Sequence, residues 1–220
     1  MNKVIFTNCG LLGDMFLCLP VLSWYYKEYN KKITFALSTH FPYAKNAEEI
    51  LRMQDCIEDV LYFDYGDGAH ENRTSDNLGQ YHIKKEMFDC DTLISLGFHK
   101  WPDKYLPEFY AEEYGFGVDY DFKLNYGEPD YHYKDHIIKL DKFESPRLLD
   151  IDGLNLPSNN TIVSNLQLAA GAKKVITWTT GASIMLTLAR IPITLYQPQG
   201  LEDHHRKYYD INGCIDWKTI

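Results

Sequence analysis

Runs of strand-forming residues alternate with stretches of helical period along the first 63 residues. Val4-Ile5-Phe6 is a short apolar run bounded by Thr7-Asn8-Cys9-Gly10, and it reads as a buried strand leaving into a turn. Beyond it Met15, Leu19, Leu22 and Tyr26 recur at spacings of four, three and four, which puts them on one helix face. Pro20 falls inside that stretch. Its missing N–H and its ring predict a kink, or a helix that starts later than the pattern suggests. Residues 33–37 read as the second strand, 44–53 as the second helix and 60–63 as the third strand. This β-α-β-α-β order predicts an α/β, Rossmann-like parallel sheet covered by helices on both faces.

Regularity is lost at 64–82, a polar stretch rich in Gly, Asn and Asp; a loop that long in a compact domain is usually functional or disordered. Residues 92–96 then read as a fourth strand ending at Gly97. Five prolines punctuate 102–157, where a helix near 107–115 and a strand near 136–140 are expected. The pattern returns after 160, with a helix over 161–170 closed by Gly171 as its C-terminal stop. A strand at 175–178, a helix at 183–190 and a strand at 193–196 follow. The last twenty residues, polar and aromatic, are expected to form a closing element. There is no internal repeat. The division predicted is an N-terminal Rossmann-like domain, 1–125, and a smaller second domain, 126–220.

Composition narrows the class. With 220 residues, 45% apolar and 24% charged, the chain can bury a core and reads as globular. A net charge of -9 disfavours general binding to nucleic acid, whose phosphates an acidic surface repels. The 17 tyrosines suit sugars and nucleobases, although most are expected to be half-buried packing residues. Cys9, Cys18, Cys56, Cys90 and Cys214 are odd in number and widely spaced, without a C-x-x-C pair. That predicts reduced thiols in a cytoplasmic protein, with no disulfide framework and no zinc site. Met-Asn-Lys leads directly into the first strand without a signal-peptide core, and no apolar run is long enough to span a membrane.

Three turns carry candidate chemistry. In VIFTNCGLLGDMFLCLP, Gly10 and Gly13 lie at a strand-to-helix turn and Asp14 opens the helix. Open α/β sheets bind ligands beyond the carboxyl ends of their strands. Glycines there let backbone approach a ligand, while Asp14 is either a helix cap or a general base. The second turn, Leu96-Gly97-Phe98-His99-Lys100, brings two cationic-capable side chains to a strand end; a solvated loop and an anion contact are both open. The third, Thr179-Thr180-Gly181-Ala182-Ser183, joins a strand to a helix. Such a turn is a ready anion site through its free N–H groups and hydroxyls, or simply a helix cap. No D-x-D pair suggests a catalytic metal, and His204-His205 has no spaced partner.

The G-D-x-x-x-x-L-P stretch at 13–20, the basic-aromatic end of the helix after it, ITFALS at 33–38 and DCIEDVLYFD at 55–64 together resemble glycosyltransferase family 9, the lipopolysaccharide heptosyltransferases. The resemblance covers 1–101 and 160–198. It implies a GT-B-like fold with two Rossmann-like domains and the role of catalytic base for Asp14, which would take the proton of an acceptor hydroxyl. It implies an acceptor-side place for His99 and Lys100, matching a family Gly-x-x-Lys/Arg turn. It also implies diphosphate binding by 179–183. The chain departs from the family twice. Thr179 stands where the family has an acidic residue, and Ile184 where it has a histidine. Only residues 102–159 separate the matching parts, so a reduced second domain is expected.

The function so implied is an inverting, metal-independent transfer of a sugar from a nucleoside-diphosphate sugar to a hydroxyl acceptor, a glycan or another molecule. No cofactor is needed beyond the donor substrate. One rival is a non-catalytic nucleotide or nucleotide-sugar binding protein with a degenerate GT-B cleft. Another is a glycosyltransferase acting on modified DNA bases, which the net charge disfavours. A Rossmann oxidoreductase is weak because no G-x-G-x-x-G follows the first strand.

Overall fold

The structure is a computed structural model. It describes residues 3–8, 12–39, 44–64, 85–97, 103–140, 152–156, 160–178, 181–197 and 212–219. The chain divides into two compact units, Met1–Phe122 and Lys123–Ile220. Among the described residues each is built on a sheet whose strands all pair parallel.

In the first unit the strands are β1 (Val4–Asn8), β2 (Ile33–Ser38), β3 (Ile57–Phe63) and β4 (Thr92–Ser95), in the order β3-β2-β1-β4. The central strands are buried almost throughout, as expected where both faces are covered. On one face Ile5, Ala36 and Phe63 form a cluster closed by Leu61, Phe88, Cys90 and Leu93. Phe6 points to the other face, where its ring lies 4.9 Å edge-on from Tyr25 and 6.2 Å from Phe116.

The stretch predicted as a helix kinked at Pro20, or starting late there, is two helices: α1 (Leu12–Leu17) and α2 (Leu19–Tyr29), the second with Pro20 in its first turn. Pro20 explains the break. It occupies the first turn of α2, where a missing N–H costs nothing. Helix α2 ends on Asn30 in the left-handed region, whose N–H closes the helix on Tyr26 O at 2.8 Å. Helix α3 (Ala44–Arg52) precedes β3, and α4 (Leu106–Tyr114) follows β4, ending on Gly115 at φ 67°. Asp119 fastens the segment after α4 to α2. Its carboxylate accepts from Ser23 Oγ at 2.6 Å and pairs with Lys27 Nζ at 2.7 Å, while its N–H donates to Pro20 O at 3.0 Å. Burial pushes the Cys56 thiol up to about 12, so it stays protonated and packs as a small apolar group.

Strand β4 forms an edge of this sheet, and Tyr114 covers it. Leu96 N–H donates inward to Thr7 O at 2.8 Å, which leaves the N–H and C=O of Ser95 facing outward. The Tyr114 hydroxyl accepts from Ser95 N and donates to Ser95 O, both at 3.1 Å. One side chain thus satisfies two groups at an edge that pairs with no further strand among the described residues. Burial raises the pKa of that phenol. Tyr114→Phe is expected to cost about 1–3 kcal/mol, the penalty of leaving buried polar groups unpaired. Urea denaturation checks the loss, with faster amide exchange expected at Ser95.

In the second unit β5 (Ile137–Leu140), β6 (Leu154–Asn155), β7 (Lys174–Trp178), β8 (Ile193–Gln197) and β9 (Ile215–Thr219) pair in the order β6-β5-β7-β8-β9. Helix α5 (Ile162–Gly171) is capped by Thr161, whose Oγ1 accepts from Ser164 N at 3.1 Å. Helix α6 (Gly181–Leu188) follows β7. It stops two residues short of the expected end, with Arg190 at φ 57° and Ile191-Pro192 leading into β8, because a residue before proline is driven out of the helical region.

Gly171 requires a correction. It is the last residue of α5, not a left-handed stop beyond it; the helix ends on Ala172 in an extended conformation. The glycine is there for space. A Cβ at this position would stand 2.0 Å from the carbonyl oxygen of Asp130. The closing element expected near the C-terminus is β9, which extends the sheet alongside β8 over five paired positions.

Candidate functional site

Parallel strands deliver all their carboxyl ends to one edge of a sheet. In the first unit the chain moves from β1 to β2 to β3 in one direction, then returns past β1 to lay down β4 on its other side. The switch point therefore falls between β1 and β4, the place on an open parallel sheet where ligands generally bind. Asp14, in the first turn of α1, lies just after β1 and is half-buried. Gly13 beside it is buried. Gly97 leaves β4 at the same edge and is also buried. Gly10, His99 and Lys100 lie outside the described residues.

Asn8 and Cys18 join these parts, and neither was singled out from sequence. Asn8 ends β1 and is 1% exposed. Its side-chain amide donates to Leu96 O, just beyond β4, and to Cys18 Sγ at 3.3 Å. Cys18 Sγ in turn donates to Asp14 O at 3.4 Å. The signal was a carboxamide at the end of an apolar strand. A buried amide has two N–H donors that must find acceptors, so it marks a network before the partners are known.

The second unit repeats the arrangement. From β5 the chain goes to β6 on one side, then crosses to β7, β8 and β9 on the other, which sets the switch point between β5 and β7. The third candidate turn emerges there. Thr179 and Thr180 lie outside the described residues; Gly181 and Ala182, half-buried, and Ser183, buried, form the first turn of α6. The dipole of the helix favours an anion at this end. Thr177, fully buried near the end of β7, donates to Leu140 O at the end of β5 at 2.8 Å. A buried side chain thus crosses the switch point here too. Gln197 ends β8 at the same edge and is buried. Ile184 is core, 5% exposed.

Among the described residues no group of three or more His, Cys, Asp or Glu is placed to hold a metal ion, and no helix is long and apolar enough to cross a membrane. A cavity of about 480 Å³ bordered by Lys3, Lys31 and Lys32 lies at the amino-terminal edge of the first sheet, the end of the strands away from Asp14.

No family model matches the chain, and no curated protein matches it in sequence. Solved structures do match. The glycosyl transferase family 9 protein from Veillonella parvula DSM 2008 superposes with a TM-score of 0.66 at 11% identity, over 99% of this chain and 86% of that one. The E. coli heptosyltransferase WaaC with ADP superposes with a TM-score of 0.62 at 10% identity, over 98% of this chain and 93% of that one. The likeness is one of fold. It runs along nearly the whole chain, including 102–159, the stretch in which the sequence resemblance lapses.

Proposed function

We propose that the protein is a glycosyltransferase of GT-B type with a shortened second domain, moving a sugar from a nucleoside-diphosphate sugar to a hydroxyl acceptor. One observation carries this reading. Asp14 and the 179–183 turn each follow the strand at the switch point of their own parallel sheet, in a chain whose fold is similar to two glycosyltransferases. The ADP bound by the E. coli enzyme supports a nucleoside diphosphate as leaving group. The first unit is assigned the acceptor and the second the nucleotide sugar. The working location is the cytoplasm.

In the proposed reaction the Asp14 carboxylate takes the acceptor proton as the acceptor oxygen attacks the anomeric carbon. The bond to the diphosphate breaks on the opposite face, so configuration inverts. Gly181, Ala182 and Ser183, with Thr179 and Thr180 before them, receive the charge that develops on the diphosphate. Helix N–H groups held in place act most strongly where charge appears, each worth about 2.7–4 kcal/mol of barrier. The same reading assigns Gly10 and Gly13 to the cleft turn beside the base and His99 and Lys100 to acceptor binding. No metal is assigned a role.

A second reading, nucleotide-sugar binding without transfer, is favoured by Ile184. An apolar core side chain stands where the family's histidine would be. The two separate on a panel of nucleoside-diphosphate sugars. The donor is expected to raise the melting temperature, stabilising by about 2.7 kcal/mol at 100 times its Kd. With an acceptor it is expected to release nucleoside diphosphate at a rate EDTA leaves unchanged, and NMR is expected to show an inverted anomeric centre. Stabilisation without release supports the second reading. A chain that neither binds nor consumes any donor refutes both.

A further inference from the structure

We propose that Asn8 and Cys18 form a clasp that holds Asp14 at the switch point of the first sheet, and that both are positioning residues of the transfer reaction. This rests on the glycosyltransferase reading above. The inference starts from the break between α1 and α2. At that break the N–H of Cys18 turns to Met15 O at 3.3 Å, a tightened turn. The thiol reaches Asp14 O, four residues back, at 3.4 Å. Sulfur thus serves the carbonyl that the backbone N–H of residue 18 would serve in an unbroken helix.

Helix α1 has six residues, too few to hold a fixed geometry by its own hydrogen bonds. Its carboxylate is placed by what grips the helix from outside. The grip is Asn8. One amide N–H goes to Leu96 O and another to Cys18 Sγ at 3.3 Å, while the sulfur also lies 3.8 Å from Leu96 O. The β1 end, the exit of β4 and the α1–α2 joint therefore meet at one buried point. An apolar side chain at residue 8 would pack without needing partners. A hydrogen-bonded polar cluster instead favours a single arrangement of the elements it joins. That matters where a base must be held near its proton, since a displacement of about 1 Å can cost about 100-fold in rate.

Cys18→Val and Cys18→Ser test the clasp. Valine is apolar, one methyl group bulkier than cysteine, and loses the hydrogen bonds of the sulfur; serine keeps a donor and an acceptor. The valine variant is expected to lose about 10- to 100-fold in kcat with KM for donor and acceptor within about twofold, the mark of an interaction used in the transition state. Serine is expected to restore kcat to within about threefold of wild type. Circular dichroism and melting curves confirm folding, and Cys18→Ala replaces valine if that variant does not fold. The clasp is overturned if the apolar variant keeps the wild-type kcat, or if serine falls as far as valine. An inactive wild type across the donor panel removes the transferase reading and the clasp's role together. An active wild type with an indifferent valine variant removes the clasp alone.

Discussion

Asp14→Asn is expected to lower kcat by about 10²–10⁴-fold while changing KM little, because a positioned general base contributes about that much. Asparagine keeps the shape and the hydrogen-bonding oxygen but cannot take a proton at neutral pH. The rival role, a helix-terminal acid that only interacts with the dipole, makes a different prediction. Losing a dipole or cap interaction costs about 0.5–2 kcal/mol of stability and leaves chemistry untouched. Asp14 is half-buried in a short helix, so both effects are measurable in one variant. Steady-state kinetics and a denaturation curve on the same preparation separate them. Base function further requires the acidic limb of the wild-type pH–rate profile to disappear in the variant. A variant that melts early but turns over normally returns Asp14 to the capping role.

The order of elements was legible because each strand is a short run of apolar residues and each helix carries its own period. β1, with Ile5 to Asn8 buried, needs no partner to be recognised. Pro20 announced an interruption for a local reason, and the structure resolves it as a break at Cys18. Topology was less legible. That Asp14 stands at a switch point follows from β4 pairing with β1 and not with β3, which no local pattern encodes. Features that depend on a distant partner could not be read. The acceptor for the Asn8 amide is 88 residues away, and the groups covered by Tyr114 are 19 residues away. Strand β6 has two residues, too few for any alternation, and β9 (Ile215, Asp216, Trp217, Lys218, Thr219) was masked by its polar members. Its half-buried edge position explains them: Asp216 pairs with Lys218 at 3.2 Å and accepts from Thr194 Oγ1 at 3.3 Å.

Gly171→Ala is expected to destabilise the second unit by about 2–4 kcal/mol, against the usual direction for that change. Inside a helix, alanine normally gains about 1 kcal/mol over glycine because it restricts the unfolded chain. Gly171 has no positive φ to forbid a side chain. Steric overlap reverses the sign. The added carbon would lie 2.0 Å from Asp130 O and 2.5 Å from Asp130 C, and these are backbone atoms that cannot rotate aside as a side-chain tip can. The segment is also held from several directions. Asp130 N–H donates to Gln167 O at 2.9 Å, its carboxylate accepts from His132 N at 2.9 Å, and Gln167 Nε2 donates to Tyr126 O at 3.1 Å. Relief must come from moving residues 126–133 off α5 and breaking some of these bonds, which is how overpacking comes to cost more than its usual 1–3 kcal/mol. Gly115→Ala is the control. Its Cβ would meet nothing within 4 Å, but φ is +67°, so the expected cost is only the 1–2 kcal/mol of a left-handed alanine. Urea midpoints and amide exchange at 130–133 distinguish the two. If Gly171→Ala stabilises the protein as an ordinary helical substitution would, the close approach of Asp130 to α5 does not exist in solution.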